Sequence, residues 1–367
     1  MQNDGKLTRE MVFSLIFMSV LGNIVYTHTW IDNATDRSAW VASLAGISLV
    51  IPFAVWILYL GKLCPEATVF EMVDKGLGKI VSAVLCIPFI LINALVAIAQ
   101  LNMYTEMVKV FFLQNTPIWI IMLSLVLMGI MFISGELTIF ARLVEALAIL
   151  GMLNYFTSFI FAFPNNINVE YIIPIFDTSW LGFIQGAIFI TGEASECLLL
   201  LMIIVRFIPD PFKHYKWVSY GIILSGVIFS IAILVIMTMM SPELAKRIAF
   251  GGVNAAKMLQ IGDYVRGLEV FIFGTYNFIA VGKVSVCLYC SWIAMQKVLG
   301  SNKSMIQLFI IGLLIFVPSV LLGTYNKAYF LAVFMGNYVT LPFTIFILLL
   351  ASISIFIKNK KAGSIAK

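Results

Sequence analysis

Val20-Leu21-Gly22-Asn23-Ile24-Val25 and Ile190-Thr191-Gly192-Glu193-Ala194-Ser195 decide how this chain folds. Each sets a glycine beside a polar residue near the middle of an otherwise apolar span. The bilayer core holds no water, so freed backbone groups persist there only where protein buries them or a cavity wets them. Paired interruptions in the two halves of a chain therefore point to a binding site. Close helix packing is the plainer use of a glycine in such a span.

The composition around these stretches fixes the class. The 367 residues are 62% hydrophobic and 11% charged, with a mean hydropathy of +1.04, whereas soluble domains are about 45–50% apolar and about 25% charged. This is the composition of a polytopic membrane protein. The net charge of +5 is spread over short loops and forms no single patch, which excludes nucleic acid as a partner and leaves the lipid bilayer as the surroundings.

A helical crossing takes about 20 residues, and ten stretches qualify: 10–31, 39–61, 80–108, 117–135, 139–163, 181–206, 217–240, 266–296, 304–323 and 329–357. The first follows Lys6 and Arg9, but it is too long for a signal-peptide core and no small-residue cleavage site follows Trp30, so it stays as span 1. With a cytoplasmic N-terminus, 15 of the 23 Lys and Arg residues fall in inner segments, seven in outer ones, and Lys283 within span 8. The positive-inside bias and the even span number both put the two termini in the cytoplasm. The 164–180 connection has no Lys or Arg and reads as an ordered outer loop. In the 241–266 connection, Glu243 to Ile248 starts like an amphipathic helix lying across the outer mouth or on the membrane surface.

Ten spans divide as five plus five, with 10–163 and 181–357 as two repeats of one transmembrane domain covering 1–367. Spans 1 and 6 then correspond, and they carry the two breaks. They run in opposite directions, so the interruptions meet near the midplane. There half-helix N-termini can hold an anionic group and unwound carbonyls a cationic one, as an amino acid requires.

An ionisable side chain at bilayer centre costs about 2.5–3.5 kcal/mol on insertion scales, so each should face a partner or a wet cavity. Arg142 and Glu145 are spaced to pair locally. Glu106 and Glu269 lie near outer ends, where hydration is cheap. Glu193, Glu196 and Lys283 lie deepest; Lys283 needs an anion, with Glu193 the preferred partner and Glu196 the next. Cys287 and Cys290 match a CxxC spacing but sit in an apolar span without a second ligand pair, and five cysteines make no framework, so no metal or cofactor is implied. His28, alone near an interface, reads as structural. No Walker A, HExxH, GxSxG or kinase signature occurs, which argues against an enzyme.

Leu7-Thr8-Arg9-Glu10, Leu21-Gly22-Asn23-Ile24 followed by Asp36-Arg37-Ser38-Ala39-Trp40, and Arg266-Gly267-Leu268-Glu269 followed by Tyr276 and Lys283 resemble the B subunits of nutrient germinant receptors from spore-forming bacteria. Those proteins belong to the amino acid–polyamine–organocation transporter superfamily. The resemblance implies an all-α integral membrane protein with ten transmembrane helices in a LeuT-like inverted repeat, broken in helices 1 and 6. It also implies a receptor subunit of the spore inner membrane that binds a small nutrient such as an amino acid and acts with an A subunit and a lipoprotein C subunit. An autonomous proton-coupled amino acid or polyamine permease is the alternative on the same fold. Spans 1, 3, 6 and 8 would form the pocket, with Gly22, Asn23, Ile24, Tyr104, Thr191, Gly192, Glu193, Tyr276 and Asn277 as ligand-binding candidates. Glu193, Glu196 and Lys283 would couple charge or ions, the Lys283 ammonium standing where some members of this fold hold sodium. Thr191 to Glu196 is more acidic than the sixth helix of that family.

Overall fold

The computed structural model describes residues 5–23, 27–162, 167–259, 268–300 and 304–365. Its α-helices run in the order α1 (Arg9–Leu21), α2 (Thr27–Thr35), α3 (Ala39–Ser48), α4 (Ile51–Leu63), α5 (Val69–Leu77), α6 (Lys79–Phe111), α7 (Ile118–Ile133), α8 (Leu137–Ala162), α9 (Trp180–Ala194), α10 (Glu196–Ile204), α11 (Tyr215–Met240), α12 (Pro242–Ala245), α13 (Gly251–Met258), α14 (Leu268–Leu299), α15 (Met305–Leu322), α16 (Tyr325–Phe334) and α17 (Thr340–Ile365). No strand occurs among the described residues.

Eight helices among the described residues are long and apolar enough to cross a membrane, and the shorter Ile118–Ile133 is apolar as well. The described residues of all ten apolar stretches are mostly helical. Span 1 is divided between α1 and α2, and span 2 between α3 and α4. The second division was not expected from the sequence; its cause is Pro52, which cannot donate to the preceding turn and starts α4 afresh. Span 10 carries a wide i→i+5 turn over Met335–Val339. Pro342 follows in the next turn and displaces the regular ladder there.

Position in the bundle follows from sequence. Outside residues 191–196 the α9–α10 stretch is almost wholly apolar, and it is the most enclosed of the eight candidate spans, 94% of its most apolar part being buried, as expected of a helix that turns no polar face to solvent. Peripheral helices instead turn Ile80, Leu321 and Phe356 outward, toward where lipid tails would lie. Small polar residues inside the bundle bond back to their own helices: Thr35 to the Ile31 carbonyl, Thr105 to Leu101, Ser225 to Gly221 and Ser285 to Val281. The amphipathic α5 opens with a reciprocal Thr68–Glu71 capping box. It packs on α17, whose Ser354 hydroxyl donates to the Met72 carbonyl at 2.7 Å.

Both long connections are tied down near α2. Arg37 donates to the Ile173 carbonyl and lies 3.9 Å from Asp177, and the Asn168 N–H donates to the Thr238 carbonyl. Lys246 pairs with Asp36, Thr29 donates to the Ile248 carbonyl, and the Asn33 amide donates to the Lys246 carbonyl. The segment from Pro242 to Ile248 therefore lies against α2, across one mouth of the bundle. Its helix is the single turn of α12, shorter than the amphipathic pattern suggested.

Candidate functional site

α1 ends at Leu21, with Gly22 as its C-cap, and carbonyls of its last turn and of the cap are met by side chains from other spans. Gly22 N–H still bonds to Met18 at 3.3 Å. The Ser19 carbonyl accepts from the Lys283 Nζ of α14 at 2.6 Å. The Gly22 carbonyl accepts twice, from Gln100 Nε2 of α6 and from the Tyr276 hydroxyl of α14, each at 2.9 Å. The Asn23 amide reaches across to the other interrupted span, donating to the Glu193 carbonyl at 3.3 Å and to Glu196 Oε2 at 3.2 Å. Spans 1, 3, 6 and 8 thus converge on one point, each through a named polar bond. Tyr104 lies beside it, its ring 5.9 Å from that of Tyr276.

The second interruption is a bend and not an unwound stretch, contrary to the expectation from sequence. α9 ends at Ala194 and α10 begins at Glu196; between them the Ser195 N–H bonds to both Thr191 and Gly192. At this bend the Glu193 carbonyl accepts from the Asn23 amide. Ser195 tightens the bend by donating its hydroxyl to the Gly192 carbonyl at 2.6 Å, which also accepts from Thr340 at 2.8 Å. The Thr191 hydroxyl bonds to the Gly46 and Ala187 carbonyls.

The close approach that the two glycines permit is to protein. A Cβ on Gly192 would sit 1.6 Å from the carbonyl oxygen of Gly336, in the wide turn of span 10. A Cβ on Gly22 would meet the Lys283 side chain at 2.8 Å. Helix packing, the plainer of the two readings, accounts for both α-carbons, while the Gly22 carbonyl and the Asn23 amide supply the polar groups at the break.

Lys283 pairs with Glu196, and this corrects the expected Glu193 partner. The bend at Ser195 explains it: Glu196, at the start of α10, meets Lys283 of α14 and Asn23 after α1, whereas Glu193, three residues earlier on α9, lies against Gly336. Lys283 is 1% and Glu196 7% exposed, so the pair is desolvated and completed by the Ser19 carbonyl and the Asn23 amide. Glu193 is 3% exposed, and neither of its carboxylate oxygens has a hydrogen-bond partner among the described residues. Arg142 and Glu145 are not among the ion pairs of the described residues, so the local pair expected there is not made.

Ile24 lies outside the described residues, as do the side chains of His28 and Glu269. Asn277 follows Tyr276 on α14 and is half-buried. Gln100, Gly336 and Thr340 join the site without having been singled out in the sequence. A polar residue inside the apolar run of span 3 was the available signal for Gln100. The other two are ordinary small residues in a membrane helix. A cleft of about 450 Å³ lined by Lys6, Lys62, Glu66, Arg206 and Lys213 opens where α1 begins. At its rim the Lys213 ammonium, 2.8 Å from Asp210, holds that carboxyl below its ordinary range.

A family model described as spore germination protein matches residues 6–328. Among curated relatives, spore germination protein KB of Bacillus subtilis (strain 168) is 23% identical over 328 residues, covering 87% of this chain and 86% of its own. Spore germination protein YndE of the same organism is 23% identical over 232 residues, 62% of this chain and 61% of that one. Among solved structures, a mutant of the Eremococcus coleocola manganese transporter superposes with a TM-score of 0.60 at 12% identity, covering 95% of this chain and 85% of that one. The same transporter bound to an aromatic bis-isothiourea compound gives 0.58 at 13%, with the same coverage. That likeness is one of fold: an all-α, LeuT-like membrane architecture.

Proposed function

Because the chain belongs to the spore germination protein family, we propose that it is the membrane-embedded, nutrient-sensing subunit of a germinant receptor. It binds a small nutrient, in the first instance an amino acid, where the α1 break meets the α9–α10 bend. The observation that carries this reading is the convergence of four spans on Gly22 and Asn23, with a paired and an unpaired carboxylate beside them. Such a junction changes shape when a ligand competes for the Gly22 carbonyl or the Asn23 amide, and a two-state element biased by a ligand is what a sensor needs. Asn23, Tyr104, Thr191, Glu193, Tyr276 and Asn277 are the proposed ligand residues. Their membrane is the spore inner membrane, with ten crossings in two five-span repeats, both termini cytoplasmic, and an A subunit and a lipoprotein C subunit as partners. The Lys283 ammonium, held by the Ser19 carbonyl and Glu196, takes the place of a coupling cation between spans 1 and 8, so the response does not require sodium.

Two assays run together test this. Spores lacking the protein should lose the response to one class of nutrient and regain it on complementation, while proteoliposomes of the purified chain should not accumulate that nutrient. Concentrative uptake by the chain alone, with normal germination of the deletion strain, would replace the sensor by a permease.

A further inference from the structure

The cleft of about 450 Å³ at the start of α1 is built from three separate parts of the chain, and each brings a base to it. Lys6 precedes α1, Lys62 stands in the last turn of α4, and Arg206 and Lys213 come from the 205–214 connection between α10 and α11. That connection is held in shape. Pro209 and Pro211 restrict the backbone on either side of Asp210, whose φ is +46°. The Leu7 N–H donates to the Phe207 carbonyl at 2.9 Å, which ties the residue after Lys6 to the same connection. α4 is pressed against it as well: a Cβ on Gly61 would meet Val205 at 2.5 Å and Pro211 at 3.2 Å. The cleft is therefore formed before any ligand arrives, and its volume lies within the range of about 300–1,000 Å³ usual for small-molecule sites.

Its charges do not cancel. Lys213 is taken by Asp210 at 2.8 Å, and Arg206 gives one Nη to Glu71 at 3.0 Å, although a guanidinium has further N–H donors to offer. Lys6 and Lys62 enter none of the ion pairs of the described residues, and of the lining acids Glu66 alone stands against them. Two ammonium groups facing one carboxylate leave a single positive charge to be met, the charge of a phosphodiester. The Lys62 Nζ lies 5.5 Å from the centre of the Phe212 ring, so its stem lies along an apolar wall while its head is free to bind.

Beyond the cleft the surface turns apolar. The Tyr59 ring meets Phe212 at 6.0 Å, and Phe212 stacks on Tyr215 at 5.8 Å. α4 packs on α11, and Tyr59 and Leu63 of the first, with Tyr220 and Ile223 of the second, are all exposed. A soluble phosphate or an acidic peptide has no use for such a flank. A phospholipid has, because its acyl chains leave the headgroup along the membrane-facing helices, and basic pockets between membrane helices suit anionic headgroups.

We propose that this cleft is a binding site for an anionic phospholipid, with Lys6, Lys62 and Arg206 on the phosphodiester and the exposed faces of α4 and α11 against the acyl chains. The site is separate from the junction at Gly22 and Asn23, and the inference does not depend on which side of the membrane this end faces.

The test is thermal stabilisation of the purified full-length chain in dodecyl maltoside, titrated with phosphatidylglycerol, phosphatidylcholine, sn-glycerol 3-phosphate and hexaglutamate. Saturable stabilisation is expected from phosphatidylglycerol and not from the other three. Lys6→Gln with Lys62→Gln should weaken it by tenfold or more. Lys75→Gln with Lys79→Gln removes the same charge from exposed positions outside the cleft and should leave it unchanged. All four lysines are exposed, so neither double variant threatens the fold. On the unmodified chain, native mass spectrometry from a mixture of the two lipids should retain phosphatidylglycerol in preference to phosphatidylcholine. Equal stabilisation by both lipids, or an equal loss in both double variants, would overturn the site. Stabilisation by glycerol 3-phosphate as strong as by the lipid would overturn it in favour of a soluble phosphate ester, and stabilisation by hexaglutamate alone in favour of an acidic protein segment. No stabilisation by any of the four would overturn it outright.

Discussion

Replacing Lys283 by Met leaves Glu196 buried with the Asn23 amide as its remaining donor. Replacing Glu196 by Gln leaves the Lys283 ammonium on the Ser19 carbonyl alone among charge-matched groups. Breaking a buried pair by removing one partner costs about 3–5 kcal/mol, because the survivor stays desolvated and uncompensated. Removing both leaves no orphaned charge, so Lys283→Met with Glu196→Gln should cost less than the sum of the singles, by about 1–3 kcal/mol of coupling. The assay is denaturant or thermal unfolding of the purified proteins in one detergent, with surface expression as a folding check. Glu193→Gln is the internal control. It removes an unpaired acid and should leave stability unchanged or raise it, and it should show no coupling to Lys283→Met. Strict additivity of the 283 and 196 substitutions, with coupling appearing between 283 and 193, would refute the assignment of the pair.

Gly192→Ala should destabilise by about 1–3 kcal/mol or more, since its methyl group meets the Gly336 backbone and not a side chain that can turn away; Gly22→Ala, against the flexible Lys283 stem, should cost less, and melting temperatures of the two compare them directly. Tyr276→Phe should cost about 0.5–1.5 kcal/mol, because Gln100 still serves the Gly22 carbonyl. Tyr276→Phe with Gln100→Leu should cost more than the sum, a difference visible in the same unfolding experiment. Replacing sodium by choline at fixed pH should leave the germination response unchanged, whereas a steep loss in spore germination assays would reveal a sodium site.

The class, the helical stretches and the two places where the bundle is interrupted were legible in the sequence because each depends on local chemistry. Apolar length makes a span, and a glycine beside a polar residue weakens one. What was not legible depends on rotation and on contacts between distant spans. Glu193 and Glu196 are nearly a turn apart, and which of them meets Lys283 is decided by the bend at Ser195, which no periodicity reveals. Asp32 lies one residue beyond the apolar stretch 10–31 and was not singled out in the sequence. In the fold α2 carries it back into the bundle, against α9. Gly192 is small because the Gly336 backbone is near, and Gly336 because the Glu193 side chain lies against it; a single chain read in order shows only two glycines. The division of span 2 was written at Pro52 and the wide turn of span 10 at Pro342, but hydrophobic length masked both.

The most direct measurement of the central claim is equilibrium binding of a germination-active nutrient to the purified chain, compared with Asn23→Ala and with a substitution in the cleft at the far end, Lys62→Ala. The account expects saturable binding that Asn23→Ala weakens by tenfold or more while Lys62→Ala leaves it intact. Full-affinity binding by a folded Asn23→Ala protein, or binding lost only with Lys62→Ala, would contradict a nutrient site at the crossing of the two interrupted spans.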